Sequence, residues 1–199
     1  MRNLENDIPD PVVETLLTVI RENVALFQRF FRFKAKSLGV GRLRRYDLYA
    51  PLSEAEKTYT FDEAVRMVDE AYRAFSPTLA DSALRVIAAH HLDGEVRPRK
   101  MDGAFCYGPH PDLVPWVQMN FQGKINDVST LAHELGHAVH GIMASAHSPL
   151  TFHPPLPMAE TASVFGEMLL NDQLLAREQN PAVRRTLIST FLDDAYATI

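Results

Sequence analysis

Apolar residues recur every three or four positions along most of the chain, which is the spacing of helices that bury one face. Residues 10–37 carry one such stripe and are predicted to form a single long helix. A second helix is predicted over 60–75, where a T-x-x-E capping box stands at the start. Pro77 suits the first turn of a third helix, which is expected to end near His91.

The pattern changes in two segments between helices. Residues 42–52 are predicted to be extended and to end at Pro51. Residues 94–115 are rich in glycine and proline, and two short strands are predicted nearby, at 103–107 and 116–121. In the second strand, apolar and polar residues alternate as in a half-buried strand. A free edge of this strand could bind an extended peptide backbone, although an ordinary hairpin fits the pattern equally well.

The second half of the chain is predicted to contain three helices. The first spans 126–144, and the prolines within 147–157 predict a loop after it. Helix resumes near Pro157. Pro181 opens the last helix, which reaches Ile199 without a stop signal, so we expect the chain to be cut within an element.

Composition indicates a soluble globular protein with one sizeable domain, since 46% of the residues are hydrophobic and 23% are charged. A formal charge of −5 argues against a nucleic-acid partner. The one cysteine, Cys106, cannot form an intrachain disulfide, which fits a reducing compartment. The first residues lack a signal-peptide core and no apolar run reaches membrane-spanning length, so a cytoplasmic protein without a membrane partner is expected. The oligomeric state stays open.

The chemistry of the chain is concentrated in His133, Glu134 and His137, which form the zinc-peptidase motif H-E-x-x-H. Positions i and i+4 lie on one face of a helix, so both imidazoles can reach a single ion. Glu134 follows His133 directly, where it can act on a metal-bound water rather than on the metal. Such a short motif also arises by chance, and its surroundings have to decide between the two readings.

A third ligand is needed, since a catalytic zinc usually takes three protein side chains and leaves one position for water. The metzincin spacing fails, because His140 stands where that pattern requires glycine and Met143 where it requires the last histidine. Glu160 is preferred, because it lies one turn into the helix after the loop and a helix hairpin could return it to the histidines. The other candidates are His140, His147, His153 and Glu167.

Further side chains are expected near the ligands. Ser163 and Glu167 share one helix face with Glu160, at i+3 and i+7, which suits partners that orient a metal ligand. The full set expected to orient the ligands is Asp127, His140, Ser163 and Glu167. Substrate contacts are expected along the two predicted strands and in the Pro-rich loop, at Gly103, Ala104, Trp116, Gln118, Asn120 and His153.

Two runs of sequence carry a resemblance to a known family. One is Leu-Ala-His-Glu-Leu-Gly-His-Ala-Val-His at 131–140, and the other is Leu-Pro-Met-Ala-Glu-Thr-Ala-Ser-Val-Phe-Gly-Glu-Met-Leu-Leu at 156–170. Shorter runs at 47–51, 100–106 and 119–123 add to the likeness. Together they resemble oligoendopeptidase F, of the thimet-oligopeptidase family of zinc oligopeptidases, over almost the whole chain.

The resemblance implies a mainly α, multi-helix zincin-like catalytic core with a small β-hairpin or sheet before the H-E-x-x-H helix. It implies one Zn²⁺ held by His133, His137 and Glu160, with Glu134 as general base. Met101 and Asp102 depart from the basic and small residues that the family usually has, so a different turn is expected there.

The resemblance also implies a chain truncated at both ends relative to the family. The 199 residues would then be one partial catalytic domain, with a helical part (1–92), a β-hairpin region (93–125) and the zinc-binding helices (126–199). The residues that stabilise the oxyanion in the family are expected beyond residue 199. The chain alone is therefore expected to bind zinc but to hydrolyse peptides weakly or not at all.

The predicted function is that of a zinc-dependent endopeptidase, a metalloprotease that hydrolyses short oligopeptides with water activated by Glu134. Two alternatives stay open: a zinc carboxypeptidase on a related scaffold, and a non-catalytic helical fragment that binds metal. Internal cuts in a peptide would exclude the first, and a reactive water at the metal would exclude the second. Nucleophilic catalysis by Cys106 is disfavoured, because no base can be assigned to it.

Overall fold

The computed structural model describes residues 6–52 and 57–197. Short 3₁₀ turns lie at Arg45–Asp47 and Ala144–Ala146. The prediction of a mainly α fold, with a small sheet before the helix that carries the H-E-x-x-H motif, is confirmed. The elements in chain order are α1 (Asp10–Glu22), α2 (Val24–Ser37), α3 (Phe61–Phe75), α4 (Pro77–Ala88), β1 (Leu92–Asp93), β2 (Phe105–Tyr107), β3 (Trp116–Gln118), α5 (Ile125–Met143), α6 (Leu156–Arg177) and α7 (Pro181–Ala197).

The chain divides into two compact units. Residues 1–55 and 178–199 form the terminal unit, which contains α1, α2 and α7. Residues 56–177 form the central unit, which contains the sheet and the helices α3 to α6. The single-domain organisation expected from the sequence stays a prediction.

In the terminal unit, α2 and α7 are joined by a buried charge. Lys34 is fully buried, and its Nζ donates to Asp193 Oδ1 at 2.6 Å and to the carbonyl of Leu48. Phe30 stacks on Tyr196 with ring centroids 4.7 Å apart. The ammonium needs these oxygens, because an unpaired charge in an apolar interior is strongly unfavourable.

The single helix predicted over 10–37 is wrong, because a break at Asn23 separates α1 from α2. Asn23 has φ −103° and ψ 12°, and its Nδ2 donates to the carbonyl of Val19 at 2.8 Å. Asparagine competes with the helical backbone for hydrogen bonds in this way. The stripe of apolar residues continues across the break, so the periodicity of these residues does not reveal the break.

The extended segment predicted over 42–52 is also wrong, since it contains the 3₁₀ turn at Arg45–Asp47. The carboxylate of Asp47 accepts the backbone N–H of Arg44 at 2.7 Å, which holds the chain in a turn. The remaining predicted helices are present with small shifts at their ends. Thr198 and Ile199, the end of the predicted last helix, lie outside the described residues.

The central unit is built around a core between its four helices. The predicted capping box starts α3: Thr60 Oγ1 accepts the backbone N–H of Glu63 at 3.2 Å, and the Glu63 carboxylate accepts that of Thr60 at 2.7 Å. Helices α3 and α4 pack against α5, and α3 and α5 both pack against α6. Fully buried side chains at this contact are Val68, Tyr72, Val86, Val128, Leu131 and Leu170.

The sheet has three strands in the order β1-β3-β2, and β1 was not expected from the sequence. Strand β3 pairs in parallel with β1 and antiparallel with β2. Of the two alternatives for the second predicted strand, the free edge is therefore wrong, because β3 is paired on both sides. A two-residue strand such as β1 is too short for alternation to reveal it. Among the described strands, β2 is an edge strand, and it lies beside α5.

Candidate metal centre

Helix α5 presents the two histidines of the motif on one face, half-buried. The Nε2 atoms of His133 and His137 lie 3.1 Å apart. Two imidazole nitrogens at this distance repel each other through their lone pairs unless a proton or a cation lies between them. The arrangement therefore suits a shared cation.

Glu160, one turn into α6, completes a group of three. Its Oε2 lies 3.4 Å from His133 Nε2 and 3.7 Å from His137 Nε2. In a tetrahedral zinc site with bonds of about 2.1 Å, neighbouring ligand atoms are separated by about 3.4 Å. The three separations of 3.1, 3.4 and 3.7 Å are centred on that value. Two histidines and one glutamate are also a donor set of catalytic zinc sites, so the residues fit this ion.

Each ligand is held by a second contact. His133 Nδ1 is hydrogen-bonded to Glu167 Oε1 at 2.5 Å, and Ser163 Oγ donates to Glu160 Oε2 at 2.9 Å. His137 is hydrogen-bonded to the backbone of Ala159. Contacts of this kind set the tautomer and orientation of a metal ligand.

The pKa values of the two imidazoles are shifted in opposite directions. Burial lowers the pKa of His133, but the hydrogen bond and charge of Glu167 outweigh burial, so its pKa is raised above the ordinary value. Burial and the neighbouring His133 lower the pKa of His137, against the charge of Glu160. The carboxylates on α6 thus favour positive charge at His133, which is where a cation would be bound.

Glu134 lies beside the ligands and differs from them in its surroundings. It is 5% exposed, and its Oε2 is buried without a hydrogen-bond partner in the described part of the chain. Burial raises the pKa of Glu134 to about 7; His133 opposes this shift, and the charges of Glu160 and Glu167 add to it. A buried carboxyl group with an unused oxygen can take up and release a proton near neutral pH.

Small residues bring the two ligand-bearing helices close together. A Cβ atom added at Gly136 would lie 2.7 Å from the carbonyl of Ala162 on α6. One added at Gly166 would lie 2.1 Å from the hydroxyl of Tyr72 and 2.9 Å from the carbonyl of Ala132. Tyr72 Oη donates to that same carbonyl at 2.5 Å. The helices therefore cross where neither can carry a larger side chain, and this close crossing places Glu160 within reach of the histidines.

The ligands open into a cavity of about 390 Å³. Helices α5 and α6 form its polar side, with the three ligands, Glu134 and His140. The residues around β2 and the Pro-rich loop form most of the rest, and His153 contributes a further imidazole. The cavity therefore joins a candidate metal site to an edge strand, and is large enough to hold part of a peptide.

The sequence model of peptidase family M3 matches residues 1–197, which is nearly the whole chain. The chain belongs to peptidase family M3. The predicted resemblance to the oligopeptidases of this family is thereby confirmed.

Individual M3 relatives agree with this assignment. The chain is 29% identical to Group B oligopeptidase PepB of Streptococcus agalactiae over 98% of its own length and 32% of the relative's. It is 27% identical to an oligoendopeptidase F homolog of Lactococcus lactis, again over 98% and 32%. A solved structure of a candidate peptidase from Chlamydophila abortus is 31% identical, with a TM-score of 0.83 over 96% of this chain and 32% of that one. The chain thus spans about a third of the length of the relatives it matches.

In the described part of the chain, no helix is both long and apolar enough to cross a membrane.

The structure brings together some of the site residues expected for this M3 chain and separates others. Ser163 and Glu167 contact the ligands directly, and Ala104, His140 and His153 line the cavity. Asp127 instead lies at the start of α5, where its carboxylate accepts the backbone N–H groups of Gln122 and Lys124 at 2.8 and 2.9 Å. It caps the helix that carries the motif.

Four residues expected to contact substrate lie outside the described cavity lining. Gln118 Nε2 donates to the carbonyl of Gly103 at 3.2 Å, and Asn120 Nδ2 donates to that of Met101 at 2.9 Å. Trp116 stacks on His91 with ring centroids 4.0 Å apart. These side chains hold β3 to the segment before β2 and to His91 after α4. A substrate contact at these positions stays a prediction.

The residues of the helix crossing were missed in the sequence. Gly136 stands at a variable position of the motif, and Gly166 stands between the expected ligand Glu160 and its partner Glu167. A signal was present: small residues four apart, Ala132 with Gly136 and Ala162 with Gly166, mark one face of each helix. Such a pair of small-residue faces indicates two helices that approach each other closely.

Proposed function

We propose that this chain is the metal-binding part of a zinc-dependent endopeptidase that hydrolyses short peptides. Zinc would be held by His133 Nε2, His137 Nε2 and Glu160 Oε2. The observation that carries the proposal is the combination of these three ligand atoms with the buried, unpartnered carboxyl oxygen of Glu134 in one cavity. A structural zinc site would have four protein ligands and no need for such a base.

In the proposed reaction, bound zinc would polarise the scissile carbonyl and make a water molecule more acidic. Glu134 Oε2 takes a proton from that water and later delivers it to the nitrogen of the leaving amine. Its raised pKa, about 7, suits both transfers at neutral pH. Glu167 and Ser163 keep His133 and Glu160 in place during the reaction.

The substrate proposal rests on the edge strand and on the relatives. Strand β2 lies at the edge of the described sheet, and Ala104, Phe105 and Cys106 line the cavity. A peptide in extended conformation can add to such an edge through backbone hydrogen bonds. The relatives in Streptococcus agalactiae and Lactococcus lactis are named as an oligopeptidase and an oligoendopeptidase homolog, which supports short peptides as substrates and cuts within the chain.

We expect slow turnover by the 199 residues alone. Groups that donate hydrogen bonds to the developing oxyanion supply a large share of the rate in peptide hydrolysis. Apart from the ligands and Glu134, the imidazoles of His140 and His153 are the nitrogen donors among the side chains described around the cavity. A cytoplasmic location likewise stays a prediction from the sequence.

Two measurements on the full chain test the proposal. After loading with zinc and dialysis, elemental analysis should give about one zinc per chain, and His137→Ala should abolish retention. Glu134→Gln should retain zinc but lose all turnover of an internally quenched peptide, whereas the surface variant Glu22→Gln should match the parent in both. Mass spectrometry of the products should find internal cuts; release of single C-terminal residues would indicate a carboxypeptidase instead. A chain that retains no zinc would refute the proposal.

A further inference from the structure

One end of the metal cavity is apolar. Its surface is formed by the residues Gly108, Pro115, Gly141 and Phe152, which we call the apolar floor. Phe152 is 4% exposed and Pro115 is fully buried, so both rings are fixed by their surroundings. None of the four has a side chain that can donate or accept a hydrogen bond. A polar substrate group placed there would lose its water without finding a partner.

The two glycines of the apolar floor lie directly against the rings. A Cβ at Gly141 would lie 3.2 Å from Pro115 Cγ and 3.8 Å from Phe152 Cζ. A Cβ at Gly108 would lie 3.5 Å from each of those two rings. Both glycines line the cavity, so a larger residue at either position would cover the rings and narrow the cavity there.

The apolar floor lies next to the metal ligands. Gly141 follows His137 at i+4 on α5, so it lies on the same helix face about one turn further along. One turn rises about 5.4 Å. That distance is comparable to the spacing of about 3.8 Å between consecutive Cα atoms in a peptide. A substrate whose carbonyl reaches the ligands can therefore place a neighbouring side chain on the floor.

We propose that the apolar floor binds one substrate side chain beside the scissile bond and selects large apolar residues, leucine or phenylalanine, over small or charged ones. This inference rests on the proposed zinc site and adds a specificity to it. Gly108 and Gly141 set the depth of the site, and Phe152 forms its base.

The test is a binding series on the zinc-loaded full chain. Acetohydroxamate, which binds zinc without a side chain, is compared by calorimetry with peptide hydroxamates that differ only in the side chain next to the chelating group: hydrogen, methyl, isobutyl, benzyl or carboxymethyl. Isobutyl and benzyl should bind at least about tenfold more tightly than hydrogen, the range in which apolar pockets discriminate. Carboxymethyl should bind no better than hydrogen.

A variant pair locates the effect. Gly108→Val should reduce the ratio of benzyl to hydrogen affinity by about tenfold, because its methyl groups cover the rings and narrow the cavity. Gly41→Val is the matched control, since a Cβ there has no neighbour within 4 Å. If Gly108→Val does not fold, Phe152→Leu is used, and its preference should move toward larger groups.

The outcomes separate the two proposals. If neither zinc nor acetohydroxamate binds, the zinc site itself is refuted. If acetohydroxamate binds but the affinity of the parent chain is the same for all five side chains, the zinc site stands. The apolar floor is then refuted as a specificity site. An unchanged preference in Gly108→Val would also overturn the assignment to these residues.

Discussion

Replacing Gly136 by alanine sets two effects against each other. Gly136 lies within α5, where alanine is favoured over glycine by about 1 kcal/mol through helix propensity. On propensity alone, Gly136→Ala should therefore stabilise the protein. The close crossing of α5 and α6 predicts the opposite.

The clash can be worked out from the structure. The added Cβ would lie 2.7 Å from the carbonyl oxygen of Ala162 and 2.8 Å from Ser163 Cα. Ordinary contact begins at 3.4 Å, so α6 must move by 3.4 − 2.7 = 0.7 Å. Both contacts are backbone atoms and cannot rotate away. Overpacking of this kind costs about 1–3 kcal/mol, which exceeds or cancels the propensity gain.

The shift should also weaken the metal site. The residues pushed by the new methyl group stand between Glu160 and Glu167 on α6. Moving them displaces Glu160 Oε2, which lies 3.4 Å from His133 Nε2. Since loss of a ligand-orienting contact alone lowers metal affinity by about 10–100-fold, we expect a decrease in zinc affinity within that range for Gly136→Ala.

Two assays check this prediction. Urea unfolding of the metal-free protein should give a net loss of up to about 2 kcal/mol, and competition with a chromogenic chelator should give the weaker zinc affinity. Gly41→Ala is the control, because a Cβ at Gly41 meets nothing within 4 Å. If Gly136→Ala were more stable by about 1 kcal/mol and kept its zinc affinity within a factor of two, the close crossing would not position the ligand.

Three further predictions follow from individual contacts. Glu167→Gln should lower zinc affinity by about 10–100-fold in a chelator competition, because His133 Nδ1 loses its charged partner; an unchanged affinity would contradict this. Asp193→Asn should cost about 3–5 kcal/mol in urea unfolding, because Lys34 is buried and would lose its counter-charge, whereas the double change with Lys34→Met should recover part of the loss. Burial, helped by the charge of Glu134, raises the pKa of Cys106 from 9.0 to about 12, so metal-free protein at pH 8 should react with iodoacetamide about a thousandfold more slowly than free cysteine. Its rate should rise about tenfold per pH unit through pH 10, and a plateau below pH 10 would disprove the shift.

Local spacing made much of the site predictable. The i+4 spacing of His133 and His137, and the i+3 and i+7 spacing of Ser163 and Glu167 from Glu160, are properties of a single helix and can be read along the chain. The resemblance added the family, which the comparisons confirm. The catalytic and metal-binding roles of these residues stay proposals.

The missed features are ones that the periodicity of apolar residues does not record. Whether β3 has a free edge depends on β1, which is two residues long and pairs across a gap of more than twenty residues. The break at Asn23 depends on a side chain that bonds to its own helix, and apolar periodicity does not register it. The helix crossing depends on the contacts of Gly136 with Ala162 and of Gly166 with Tyr72, which join three helices.

The edge position of β2 has a consequence for what such a site can distinguish. A ligand that pairs with β2 must present backbone N–H and C=O groups that are still unbonded, whatever its side chains. Inside a folded protein these groups are already occupied by helices and sheets. The edge would therefore sort polypeptides by the state of their backbone: it would accept an unstructured fragment and pass over the same residues in a native fold.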